Sequence, residues 1–319
     1  MTSILEVNDL RVDFYQNGAV SNSALRGVSF SLEPGKTLGV VGETGCGKTL
    51  TGMAIMGLLP PSAKRSGTIS LDGTGFLTAE TMASVRGSQI SVIFQNPHSA
   101  FNPVFTIGSQ LRLVALKRGI ARNEVEDVLT ERLLSVGLRD TARVISSYPH
   151  QLSGGMLQRC MIAMALISRP KLLIADEPTT ALDSTIGKQV LELIKGLQER
   201  EGFAMLFISH DVTVVSEVSD DVAVLYAGKI VEYGPSTQVM NSPSHPYSQG
   251  LLGAIPSAAK PRGKLSAIRG SVPANTLEIV GCAFSPRCPY SFERCAEEPQ
   301  LLSIGSSSKA QSVACWRTR

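Results

Sequence analysis

The chain has 319 residues, a formal net charge of +3 and 18% charged residues. Its length accommodates a full α/β core plus a smaller attachment, and so balanced a charge excludes the basic field that binds nucleic acid nonspecifically. The start of the chain mixes charged with apolar residues and lacks signal-peptide texture, while the longest apolar run, Met161 to Ile167, is far below the ~20 residues that span a bilayer. A soluble chain is therefore expected, whose membrane role would need a partner and whose six cysteines stay reduced.

In chain order, alternation of apolar residues over Leu5–Val7, Leu10–Phe14 and Val28–Leu32 predicts antiparallel strands, with a turn at Pro34-Gly35. Leu38 to Val41 reads as a short buried strand that enters a glycine-rich turn and then a helix over Lys48 to Leu59. Between Pro97 and Ser147 the texture turns helical, with Glu124, Val125, Val128, Leu129, Leu133 and Leu134 spaced to give one predicted apolar face. Helix and strand then alternate: a helix from Met156 to Ile167, a strand from Leu172 to Ala175, a helix near Gly187 to Glu201 and a strand from Ala204 to Ser209. That alternation predicts a parallel sheet with crossover helices. After Gly234, prolines at 235, 243, 246, 256, 261 and 273 suggest an extended tail, and a domain boundary is placed near residue 240. No internal repeat is present, so a tandem duplication is not expected.

Gly42-Glu43-Thr44-Gly45-Cys46-Gly47-Lys48-Thr49 fits G-x-x-x-x-G-K-[ST] directly after a predicted strand. The pattern has a physical purpose: glycines let backbone N–H groups curve around phosphates, Lys48 supplies a point charge, and Thr49 offers a hydroxyl to Mg²⁺. Leu50 continues the loop into the helix. At the end of the Leu172–Ala175 strand, Asp176 is placed to hold Mg²⁺ through its water shell, and Glu177 is placed to polarise a water.

Leu152-Ser153-Gly154-Gly155-Met156, followed by a helix, resembles the signature sequence of ATP-binding-cassette (ABC) ATPases. The resemblance implies that Ser153, Gly154, Gly155 and Met156 meet the γ-phosphate of an ATP held by an opposing subunit in a head-to-tail dimer. The fifth position is more often glutamine in that family. Further elements follow in family order: Gln95 resembles the glutamine that contacts Mg²⁺ or water and senses the membrane partner, Asp183 lies in a likeness of the dimer-contact loop, and His210 resembles the switch histidine. Phe14 is the candidate adenine-stacking residue and Tyr15 its competitor. The implied chemistry is in-line attack of water on the γ-phosphate of Mg-ATP. Glu177, His210, Lys48 and Gln95 form the catalytic set, and Thr49, Gln95 and Asp176 the Mg²⁺ set.

Ser242-Pro243-Ser244-His245-Pro246-Tyr247, Leu251-Leu252, Ile255-Pro256 and the run from Gly281 to Tyr290 resemble the C-terminal extension of oligopeptide, dipeptide and nickel importer ATPases. The resemblance implies the first of two different ATPase subunits, two transmembrane permease subunits, an extracytoplasmic substrate-binding protein and a location on the cytoplasmic membrane face. Cargo is expected to be peptide, with nickel or another small solute as the alternative. A soluble ABC protein acting on nucleic acid or ribosomes would share the ATP motifs, but would call for a second cassette, a coiled-coil insertion or a basic arm. Cys282, Cys288, Cys295 and Cys315 are spaced C-x5-C-x6-C-x19-C; four such thiolates suit zinc or a 4Fe-4S cluster. The resemblance points to the cluster, with zinc and unliganded thiols as alternatives. Cys46, Cys160 and the methionines at 156, 161 and 164 read as packing residues.

The expected fold is thus α/β: a phosphate-loop ABC ATPase core over residues 1–240, with an antiparallel β subdomain and an inserted helical subdomain at about 97–160. A small irregular C-terminal extension with a Cys cluster is expected over 241–319.

Overall fold

The computed structural model describes residues 3–73, 77–254, 268–305 and 311–318. Ile255, Pro256 and Pro261 lie outside the described residues. The chain divides into two compact units, one of residues 1–78 and 206–319 and the other of 79–205.

The first unit opens with β1 (Leu5–Gln16) and β2 (Ala19–Leu32), then β3 (Thr37–Val41), α1 (Lys48–Met56) and β4 (Ala63–Leu71). β1 pairs antiparallel with both β2 and β4, as the alternating pattern predicts. That pattern breaks phase between Val7 and Leu10, where the register shifts and Asp9 takes φ 47°. The extra residue of this bulge returns Leu10 and Val12 to the buried face occupied by Leu5 and Val7. β1 and β2 join through Asn17 and Gly18, both at positive φ (53° and 81°), the left-handed pair that a tight hairpin demands. α1 stops three residues short of the expected Leu59 because Gly57 turns left-handed (φ 64°) and its N–H closes on carbonyls of the last turn.

In the second unit, α2 (Ala79–Val85), β5 (Ile90–Ile93), α3 (Pro97–Ala100), α4 (Ile107–Lys117), α5 (Val125–Ser135) and α6 (Thr141–Ser146) precede α7 (Gly154–Leu166), β6 (Leu172–Asp176) and α8 (Ser184–Glu201). β5 and β6 pair parallel. On α5 the buried stripe is Val125, Leu129 and Leu133, whereas Leu134 is exposed; the neighbouring buried position is Arg132, ion-paired with Glu201. The i, i+4, i+8 spacing centres the stripe one position away from Leu134. Buried Met161 and Cys160 pack within α7 as expected.

The division between the units falls inside β7 (Ala204–Ser209). The first unit then continues with α9 (Val212–Val218), β8 (Asp221–Tyr226), β9 (Lys229–Pro235), α10 (Ser236–Asn241), α11 (Pro246–Gly253), β10 (Leu302–Ile304) and β11 (Gln311–Val313). Its strands run in the order β10-β11-β9-β8-β3. β3 and β8 are parallel, and the β8–β9, β9–β11 and β10–β11 pairs are antiparallel.

Among the described residues after Gly234, helices and strands form where the prolines suggested an extended tail. Pro246 sits at the first position of α11, where a missing N–H costs nothing, and His245 Nδ1 caps that helix by accepting from the Tyr247 N–H at 3.0 Å. The returning chain adds β11 to the β9 edge. Glu232, fully buried on β9, pins these pieces together. Its carboxylate accepts from the N–H groups of Ser244 (2.6 Å) and His245 (3.2 Å) and from Gln311 Nε2. Burial raises the Glu232 carboxyl above its usual range. Glu232→Ala strands three donors and is expected to lower stability by roughly 3 kcal/mol, read as a reduced urea midpoint and new protease cleavage within residues 236–254.

Candidate functional site

The loop from Gly42 to Gly47 follows buried β3 and ends at α1, whose N-terminal residue Lys48 is itself buried. Two glycines are forced by crowding. A Cβ at Gly42 would collide with the Leu225 carbonyl oxygen, and one at Gly47 would stand 2.6 Å from Leu25 Cδ2, while Gly47 adopts φ 110°. No side chain caps α1, so its N-terminus presents backbone donors and the positive end of the helix dipole to an anion. Thr44 and Gly45 are exposed at the tip, Cys46 is buried beneath it, and Thr49 and Leu50 lie on the first turn. Lys48 Nζ donates to the carbonyls of Gly42 (2.8 Å) and Glu43 (3.1 Å), which holds the ammonium across the loop. Burial pushes the Cys46 thiol up, consistent with a packing role.

Glu43 is the best-anchored residue of the loop. Its N–H donates to Tyr247 Oη at 2.8 Å, and its carboxylate forms a two-pronged ion pair with Arg287 at 2.7 and 2.9 Å. Both partners belong to the C-terminal segment. Tyr247 is fully buried and stacks in a cluster with Tyr226 and Phe284, with ring centroids 4.6 and 5.4 Å away; burial pushes its phenol well above the ordinary range. The Arg287 side chain is 7% exposed and also donates to the carbonyls of Arg269 and Gly270, and its hydrogen bonds to Glu43 raise its affinity for the proton. Both residues lie in stretches that the sequence marks as part of the extension, yet no spacing rule joins them to a loop some 200 positions earlier (|i−j| of 204 and 244).

Also in the first unit, His210 is exposed just after β7, and Asp211 caps α9. Phe14 is half-buried on β1, opposite Asn22 and Ala63. Its neighbour Tyr15 already carries the Lys64 ammonium over its ring at 4.7 Å.

Within the second unit, Gln95 and Glu177 are brought together: Gln95 Nε2 donates to Glu177 Oε2 at 3.0 Å, and Thr180 Oγ1 donates to the same oxygen at 2.9 Å. Glu177 holds φ 47°, a left-handed conformation that costs a non-glycine residue about 1 kcal/mol or more and is characteristic of functional turns. Asp176 precedes it as the half-buried last residue of β6. Ser153 caps α7 by accepting from the Met156 N–H at 3.3 Å, with Gly154 and Gly155 forming the first turn. Asp183 caps α8 through the N–H groups of Thr185 and Ile186.

Cys282, Cys288, Cys295 and Cys315 are free thiols lining one apolar pocket with Phe284 and Trp316. The cavity holds only about 20 Å³, room for a single water. Among the described residues no three histidine, cysteine or acidic side chains stand close enough to hold a metal ion. The four cysteines singled out by spacing line one pocket, but among the described residues no metal-holding group is formed. The thiols are packed as a small core in which burial raises Cys282 and Cys288.

A buried-strand, glycine-loop and helix unit with an inward lysine defines a phosphate-loop ATPase. Comparison with known proteins gives the family. The ABC transporter family matches residues 25–180, and the C-terminal region of oligopeptide/dipeptide transporters matches residues 231–295. The dipeptide transport ATP-binding protein DppD of Haemophilus influenzae is 42% identical, covering 95% of this chain and 93% of its own. The oligopeptide transport ATP-binding protein AppD of Bacillus subtilis is 43% identical, covering 99% and 97%. Among solved structures, cbiO1 from Clostridium perfringens superposes with a TM-score of 0.65 at 24% identity over 76% of this chain and 92% of that one, a likeness of fold. The chain belongs to the ATP-binding subunits of ABC transporters that carry the oligopeptide/dipeptide-type C-terminal region, and it is an ATPase. Among the described residues no helix is long and apolar enough to cross a membrane.

His245 gives the site a pH signature. Burial pushes its imidazole down to about 4, so the neutral ring is the folded form while the unfolded chain takes up a proton near 6.5. Stability is therefore lost as pH falls from 6.5 toward 4, by about 2 kcal/mol at pH 5. Glu232, raised by burial, has the opposite slope: its contribution is present below its ordinary value and lost as pH rises. The difference between wild type and His245→Asn in urea midpoints from pH 7 to pH 5 isolates the histidine part, and the asparagine variant, which still caps α11, is expected to show the flatter profile.

Proposed function

We propose that this chain powers a peptide importer, for dipeptides or oligopeptides, by hydrolysing Mg-ATP at the cytoplasmic face of the membrane. It would act with a second, different ATPase subunit, two transmembrane permease subunits and an extracytoplasmic substrate-binding protein. The observation that carries this reading is the pairing, in one compact unit, of the phosphate loop with the oligopeptide/dipeptide-type C-terminal segment that grips it through Glu43. The names of the relatives supply the cargo class.

Residue roles follow motif order and local geometry. Residues 42–50 wrap the phosphates, with Lys48 as the point charge and Phe14 as the adenine-stacking ring, since Tyr15 is engaged by Lys64. Mg²⁺ is assigned to Thr49, Asp176 and Gln95, where it would neutralise phosphate charge. Glu177, fixed by Gln95 and Thr180, orients the attacking water, and His210 senses the γ-phosphate. Ser153, Gly154, Gly155 and Met156 face the ATP of the opposing subunit; the side-chain-poor Gly154-Gly155 start of α7, capped by Ser153, suits an anion. Asp183 is assigned to the dimer contact. Residues 1–240 act as the nucleotide-binding domain and 241–319 as its extension.

The four cysteines are proposed as thiolate ligands for a 4Fe-4S cluster, with zinc as the alternative. The convergence of four free thiols on one pocket supports this, and the small cavity means that the pocket must widen on binding. Anaerobically purified protein should be brown with broad visible absorbance that Cys288→Ser abolishes; colourless protein with stoichiometric zinc would reject the cluster.

For the ATPase site, Glu177→Gln is expected to keep Mg-ATP binding, favour the closed dimer and lower turnover by roughly two orders of magnitude or more, assayed with its partner subunits. Near-normal phosphate release by that variant would remove Glu177 from the water-orienting role.

A further inference from the structure

The polar groups of Glu43 are all engaged, and two of its four partners belong to the C-terminal segment. Its N–H goes to Tyr247, its carboxylate to Arg287, and its carbonyl to the Lys48 ammonium. The Cys46 N–H also donates to that carbonyl, at 3.3 Å. A carboxylate in a loop that must accept a triphosphate is an electrostatic liability, because like charges at close range repel strongly where water is partly excluded. Arg287 cancels that charge with a planar, two-pronged contact, and its side chain is nearly sealed from solvent. Carbonyls from residues 269 and 270 fix the far edge of the same guanidinium. Tyr247 holds the loop backbone from the other side, and its ring is locked in the cluster with Tyr226 and Phe284.

We propose that Arg287 and Tyr247 of the C-terminal segment are positioning residues for nucleotide binding: they neutralise and brace Glu43, so that the loop, with Lys48 hung from the Glu43 carbonyl, is ready to receive Mg-ATP. The segment is then part of the nucleotide site's second layer and not only an appendage. This rests on the reading of residues 42–50 as the nucleotide site.

The charge account and a purely structural account make different demands on paired substitutions. Arg287→Gln leaves the Glu43 carboxylate uncompensated and should weaken Mg-ATP binding by roughly tenfold. Glu43→Gln leaves a surplus cation beside the phosphates and should tighten Mg-ATP binding a few-fold. Combining the two restores neutrality and should return affinity to within about twofold of wild type, whereas an ion pair that only held the fold together would weaken binding in both single variants and in the pair. Tyr247→Phe, which keeps the ring and removes only the hydroxyl, should weaken binding a few-fold while the chain stays folded at the assay temperature, with only a small drop in thermal midpoint.

The measurement is equilibrium Mg-ATP binding by calorimetry on the full chain, with thermal unfolding of each variant and steady-state hydrolysis with the partner subunits, where KM should move more than kcat. Lys48→Ala serves as the reference for the site itself. If it binds Mg-ATP normally, the assignment of the nucleotide site fails. If it loses binding while Arg287→Gln binds like wild type, or the double variant is as weak as Arg287→Gln, the positioning role alone is overturned. Should Arg287→Gln unfold, the opposite-sign response of Glu43→Gln and the effect of Tyr247→Phe decide, and weakened binding in Glu43→Gln would overturn the charge account.

Discussion

The contact between Glu43 and the C-terminal segment governs how the first unit is organised. A loop built to cradle phosphate is tight and poor in side chains: Gly42 and Gly47 have no room for a Cβ, and the backbone donors at the α1 N-terminus face outward. Such a loop has few contacts of its own with which to hold its shape. Here the holding comes from behind, through an ion pair and a tyrosine hydroxyl of the C-terminal segment and an aromatic cluster that joins Tyr247 and Phe284 to Tyr226 at the end of β8. The segment is itself secured by buried Glu232 and by Thr276, whose hydroxyl donates to the carbonyl of Ser23 on β2.

That arrangement couples regions with separate purposes in the sequence. Arg287 directly precedes Cys288, one of the four thiols lining the apolar pocket. Phe284 belongs both to that pocket and to the ring cluster around Tyr247. The thiol pocket and the ring cluster that holds Tyr247 therefore share the Phe284 side chain. Glu298, meanwhile, bridges Arg26 and Lys229 at 2.7 and 2.6 Å, tying the segment to β2 and β9.

In the second unit the same economy appears on a smaller scale. Glu177 is held in a left-handed turn, and one of its carboxylate oxygens accepts from both Gln95 and Thr180. Gln158 reaches the Pro178 carbonyl from α7 at 2.8 Å, so the helix that begins at Ser153 also braces the turn carrying Glu177. A strained conformation persists only where its surroundings over-determine it, and this turn meets that condition.

Local patterns were sufficient for much of this protein. The G-x-x-x-x-G-K-T run after an apolar strand, the paired acids ending β6, the Ser-Gly-Gly start of α7 and the alternation in β1 and β2 each encode their chemistry within a few residues, because helix periods, strand alternation and loop glycines act at short range. Where the sequence reading strayed, longer-range packing had decided the outcome. Leu134 is exposed although its spacing admits it to the apolar face, since burial on α5 centres on Val125, Leu129 and Leu133. In the described part of the proline-rich stretch after Gly234, α10 and a capped α11 form beside buried Glu232, whose carboxylate supplies acceptors that proline counts do not register. Four cysteines could be singled out by spacing and family likeness, but only the fold shows them lining a space for one water. The grip of Arg287 and Tyr247 on Glu43 joins residues more than 200 positions apart (|i−j| 244 and 204). A contact of that kind leaves no periodic or spacing signal in a single sequence; it exists only once the chain has folded back on itself.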